Sequence, residues 1–254
     1  MPSLADLPSW LPTFALGLAT FAVGLATTAG VFKFYLEPRQ IAAVLQKKYG
    51  TALWIACKEL YDHLSQIRFG IRNDELYNSL LKIPANDWAG RSDWFIKDGF
   101  YTVVTAHKIA VLSAWLFIYQ QELLFSRTQE SSRLLVDIYT HAAAVRKIFS
   151  EGSCLWPEYF DAIGSQCVEK FAEAFRPLPL SSFCLRYSEA GFIKFYDQLH
   201  NFIHLTVKEE REAGKECRLE KISNAIRDLM NMLEKRALLA GLQVDKITTS
   251  AGSR

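Results

Sequence analysis

The chain has 254 residues, half of them hydrophobic, and its 29 Lys and Arg against 27 Asp and Glu leave a formal charge of only +2. That near balance, with the signs interspersed, argues against the basic face of a nucleic-acid binder. The apolar residues are concentrated at one end: residues 7–32 contain no ionisable side chain, whereas the 222 residues beyond Phe32 hold all 29 basic and 26 of the acidic residues.

The uncharged stretch is the first predicted element. A bilayer core is about 30 Å thick and a helix rises about 1.5 Å per residue, so roughly 20 apolar residues cross it. Pro8 and Pro12 fall at or before the first turn, and Pro38 stops or kinks the helix beyond Leu36. Residues 1–37 therefore read as a membrane anchor with a transmembrane helix over about 11–36, and Trp10 and Tyr35 suit its two interfaces. Lys33, Arg39, Lys47 and Lys48 follow it against Glu37, while the other flank offers only Asp6. The positive-inside bias then predicts a single pass through the cell membrane, inner or plasma, with the C-terminal part cytoplasmic. A cleaved signal peptide fits less well, because Met1–Trp10 lacks a basic region. Small residues recur every fourth position (Thr20, Gly24, Thr28; Ala22, Ala26, Gly30), faces that permit a homodimer through the membrane helix.

Residues 38–242 read as an α-helical bundle, giving an all-α fold: an N-terminal transmembrane helix followed by a cytosolic bundle. Leu45, Ala52, Ala56, Leu60 and Ile67 mark the first stripe, after Pro38. Pro84–Trp94 is an irregular loop whose tryptophans are expected to pin it to the bundle. Residues 99–125 include the wholly apolar run Ile109–Tyr119, but only 13 uncharged residues separate Lys108 from Glu122. That length suits a buried central helix better than a second membrane helix.

Leu134, Leu135, Ile138, Ala142, Val145 and Phe149 form the next stripe, behind Ser126-x-x-Gln129 of capping-box form. Phe160, Ile163, Cys167, Phe171 and Phe175 form a third, broken by Pro177-Leu178-Pro179. A long helix with Phe192, Phe195, Tyr196, Leu199, Phe202, Ile203 and Thr206 on one face is expected to end near Gly214. The last helix aligns Leu219, Ile222, Ile226, Leu229 and Leu233, a seam too short for a coiled coil and interrupted at Arg236. No run alternates with period two, so no strand is predicted. Residues 243–254 form a small, polar, disordered tail.

Chemistry is sparsely encoded. The five cysteines are scattered, without zinc-type or disulfide-type spacing, and read as buried thiols. No phosphate-binding, dinucleotide, zincin or nucleophile-elbow motif occurs. Asp197-x-x-His200-x-x-x-His204 alone has ligand spacing, with all three side chains on one helical stripe. His63 is the third-imidazole candidate, although its apolar face equally suits a core histidine with a satisfied hydrogen bond. The expected function is a membrane-anchored interaction, scaffold or sensory-type protein, with the bilayer and an unidentified protein as partners, no nucleic acid and no cofactor. The alternative is a membrane-tethered enzyme using a divalent metal such as zinc at His63, Asp197, His200 and His204.

Overall fold

The computed structural model describes residues 37–72, 74–81, 99–126, 129–151, 155–172, 174–187, 193–212 and 217–239. The expected anchor over 11–36, the expected loop over 84–94 and the expected tail over 243–254 lie outside them. Of the described residues 88% are helical, in eight helices, which establishes the all-α class.

The first helix is continuous but not uniform. It comprises α1 (Glu37–Leu45), a π-helical turn at Gln46–Gly50 and α2 (Thr51–Gly70). At that turn the Thr51 N–H donates to the Gln46 carbonyl, one residue further back than in an α-helix. The inserted residue rotates α2 relative to α1. Leu45 and Ala52 are therefore only half-buried, whereas Gln46, Tyr49, Leu53, Cys57, Leu60 and Leu64 carry the core face. The predicted stripe was correct from Ala56 onward and misaligned before it.

Next come α3 (Asp74–Leu81) and α4 (Phe100–Ser126), whose 27 residues extend about 40 Å. Among the described residues α4 alone is long and apolar enough to cross a membrane, yet 61% of its most apolar window is buried inside the protein. Three of its hydroxyl groups are served by neighbouring elements. The Thr102 hydroxyl donates to the Leu80 carbonyl, Ser113 to the Phe160 carbonyl at 2.6 Å, and Tyr119 to Gln46 Oε1 at 2.5 Å. A helix so enclosed is a central core helix, as its length between charges suggested.

Around α4 pack α2, α5 (Gln129–Ser150), α6 (Pro157–Gln166) and α8 (Ile193–Glu212), while α9 (Arg218–Leu239) lies across α2 and α5. The stripes expected on α5 and α9 are buried as read: Ile138, Ala142, Val145, Ile226 and Leu229 are at or near zero exposure. Ser126, by contrast, closes α4, and its hydroxyl donates back to the Leu123 carbonyl. A close helix crossing lies at Gly164 of α6, where an added Cβ would be 2.7 Å from the Ser113 carbonyl oxygen.

The third stripe is where the reading fails. α6 stops at Gln166, and β1 (Val168–Phe171) pairs antiparallel with β2 (Ala174–Pro177) in the register Val168 to Pro177 and Phe171 to Ala174. A helical continuation would have buried Phe171 and Phe175 beside Cys167; in the hairpin they are 58% and 49% exposed. Ala172 adopts φ 53°, the left-handed conformation that a tight hairpin turn needs at its first central position. The hairpin is tied to α4 by His107, whose Nε2 donates to the Leu178 carbonyl at 2.8 Å, and α7 (Leu180–Tyr187) comes after it.

Two substitutions test this packing by chemical denaturation. Ala172→Gly should stabilise the protein by about 1 kcal/mol, since glycine adopts positive φ without steric penalty. Gly164→Ala should destabilise it by about 1–3 kcal/mol, because α6 cannot retain its distance from α4.

Candidate functional site

The four residues with possible ligand spacing are not assembled into a metal centre. His63, on α2, is engaged by α4: its Nε2 lies 2.9 Å from Thr105 Oγ1. Because the Thr105 hydroxyl already donates to the Tyr101 carbonyl at 2.7 Å, His63 Nε2 is the donor of this bond. Burial foremost, and the Lys108 charge after it, hold its pKa at about 4, so the imidazole is neutral. His63 is thus a half-buried histidine hydrogen-bonded to α4.

Asp197, His200 and His204 lie together on α8, with the two rings 6.3 Å apart between centroids. His200 is 3% exposed, while Asp197 and His204 are half-buried. The principal neighbours of α8 are α4, α9, α3 and α6, whereas His63 is engaged by Thr105 of α4. Among the described residues no group of three or more His, Cys, Asp or Glu side chains could hold a metal ion.

Among the described residues burial raises the pKa of each thiol, which makes them poor nucleophiles. Burial raises Cys57 strongly and moves Cys167 up to about 11, although the Tyr196 hydroxyl and Arg186 partly oppose the latter shift. The void between Thr105, Phe149, Phe202 and Thr206 is 20 Å³, room for at most one water. Chemistry inside the bundle is not provided for by these groups.

On the outside, a groove of 1110 Å³ runs along the seam of α5 and α9. From α5 come Asp137, Thr140, His141, Ala144 and Ile148, spaced three and four apart; from α9 come Lys221, Asn224, Ala225, Asp228, Met232 and Lys235 at similar spacing. These stripes flank the buried ones of the same helices, because each helix turns one side to the core and an adjacent side to the seam. Ala225 and Met232 are buried and form an apolar floor, while Ala144, Asn224, Asp228 and Asn231 are exposed on the walls.

The groove is electrically mixed. Lys221, Lys235 and Arg236 face Asp137 and Asp228, and Arg236 is bonded through both Nε and a terminal nitrogen to the Asp137 carboxylate, closing one end. His141 donates from Nδ1 to the Asp137 carbonyl at 2.8 Å, which fixes its ring against α5. Between Lys221 and Arg236 the groove extends for about four helical turns, or roughly 22 Å. It could receive an amphipathic helix or extended segment; it lacks the convergent cations that would hold a phosphate. The sequence contained both stripes, but nothing in it indicated that helices about 70 residues apart would share a seam.

No known protein family, curated protein or solved structure matches this chain, so any functional reading rests on its own geometry.

The protonation of His63 is directly measurable. The unfolded chain takes up a proton near the ordinary histidine value of 6.5, the folded one only near 4. The contribution to stability is therefore complete above about pH 6.5 and is lost as pH falls through that window towards 4. An NMR titration should place the His63 midpoint near 4, and His63→Asn should flatten the pH dependence of stability between those values. A midpoint near 6.5 would contradict the half-buried, hydrogen-bonded assignment.

Proposed function

We propose that the chain is a membrane-anchored interaction protein: residues 11–36 hold it as a single pass in the cell membrane, and the cytoplasmic bundle presents the groove between α5 and α9 to a protein partner. The observation that carries this reading is the groove, whose apolar floor and mixed polar walls have the character of a helix-receiving surface. Its nearly balanced charges favour a polypeptide over a polyanion. The anchor is supported by the uncharged run of residues 7–32 and the basic residues beyond it. The small-residue faces of that run support a homodimer through the membrane helix. The metal-dependent enzyme gains no support from the positions of His63, Asp197, His200 and His204.

Two measurements test the reading separately. Deletion of residues 1–36 should release the bundle from alkali-washed membranes, and a reporter fused after Arg254 should be active only in the cytoplasm; retention, or an external reporter, contradicts the anchor. Ala144→Trp together with Asn231→Trp fills the groove at two exposed positions and should leave folding unchanged within about 0.5 kcal/mol. Affinity purification of the full chain should lose its specific partner on this change, with at least a tenfold fall in recovery, while Glu169→Lys on the hairpin retains it. Equal recovery from both variants would remove the groove from the proposal.

A further inference from the structure

One end of the bundle is defined by three cross-links. Tyr119, near the C-terminal end of α4, donates to Gln46 in the π turn; Gln46 Nε2 donates to the Leu233 carbonyl near the C-terminal end of α9 at 3.2 Å; and Arg236 of α9 pairs with Asp137 in the first turns of α5. α1 also packs against α5 and α4. The last turns of α4 and α9, the first turns of α5 and all of α1 therefore occupy one end of the bundle. Phe69, at the far end of α2, lies beyond Arg68, whose ion pairs reach Glu210 and Glu220 at the opposite end.

That first end carries exposed apolar side chains beside the entry of α1, as the opposite end does at Phe69, Phe100 and Tyr101. Val44 on α1 is 63% exposed, and Leu124 and Phe125 at the end of α4 are 48% and 76% exposed. Exposed Lys47 and Lys48 adjoin them, with Glu122 near Lys48. The chain enters α1 at Glu37, immediately after the segment 11–36, and Val44 is at most about 10 Å of helix beyond that entry. The headgroup zone on each side of a bilayer is about 5–8 Å deep. A bundle on so short a lead brings this end to the lipid surface.

We infer that the bundle docks on the membrane: Val44, Leu124 and Phe125 enter the interfacial zone of the leaflet crossed by the anchor, and Lys47 and Lys48 lie against anionic headgroups. The inference rests on the proposed anchor and adds that the bundle is held at a defined height rather than swinging on a tether. Leu and Phe are suited to shallow insertion, and Lys supplies attraction to acidic lipid. The continuous helix from α1 through α2, fixed by Gln46 and Tyr119, couples the membrane lead rigidly to the core.

The test uses the full chain reconstituted in vesicles of phosphatidylcholine and phosphatidylserine, with the photoreactive residue p-benzoylphenylalanine placed at Phe125, at Val44 or, as a control of similar exposure, at Phe69. Irradiation should give phospholipid adducts at positions 125 and 44 at least tenfold above those at position 69, as read by mass spectrometry. The Val44 variant carries the test alone if the Phe125 variant does not fold. Equal adduct yields at the two ends, or crosslinks from 125 and 44 chiefly to a second copy of the chain, would overturn docking. Alkali extraction of the same vesicles separates the two ideas: a chain that resists extraction without adducts retains its anchor and loses the docking, whereas a chain that is extracted loses both.

Discussion

The structure depends on covering α4. This helix has almost no polar side, so every direction around its axis must be shielded from water, and no single partner helix can do that. Its neighbours are accordingly arranged as a sheath, with α2, α5, α6 and α8 against it and the hairpin closing part of the circumference. Leu112, Ala114, Tyr119, Ile138, Phe183 and Leu199 belong to one continuous buried cluster that extends through these elements. Burial of a Leu, Ile or Phe side chain contributes about 1.5–3 kcal/mol, so the sheath has ample driving force.

The hydroxyl groups of α4 then decide how the sheath is registered. Thr102, Ser113 and Tyr119 each require a hydrogen-bond partner in a dry interior, and each finds one on a different element: α3, α6 and the π turn. Leaving such a group unsatisfied costs about 1–3 kcal/mol, which penalises any slide of the surrounding helices. Gly164 permits the approach that Ser113 needs, and Gly50 leaves space for the Gln46 side chain, which an added Cβ would meet at 2.5 Å. The π turn is thus the local departure from α geometry that aims Gln46 at both Tyr119 and Leu233.

Because α9 lies outside the sheath, its junction with α5 is half core and half surface. Leu229 and Leu233 complete the core, and the side turned towards solvent forms a groove with α5. Asp137 and Arg236 are half-buried, and their ion pair shapes the end of the groove. In the proposed arrangement the groove lies alongside the membrane-facing end, where a partner on the same leaflet meets it without a long search through solution.

Helical class, the central role of α4 and the core faces of α5 and α9 were determined by local sequence, because a period of 3.6 residues in apolar side chains has one economical burial. Three features needed the tertiary structure. A π turn between Leu45 and Ala52 shifts the stripe by one residue, and its justification, Tyr119, is 73 positions away. Phe171 and Phe175 kept helical spacing by coincidence, while pairing between β1 and β2 and the bond from His107 to Leu178 favoured a hairpin. The groove depends on two helices from distant parts of the chain, and periodicity reports which side of a helix is apolar but not which neighbour it meets. Long-range partners are chosen by the competition to cover one helix completely, a constraint on the whole chain that no local stretch contains.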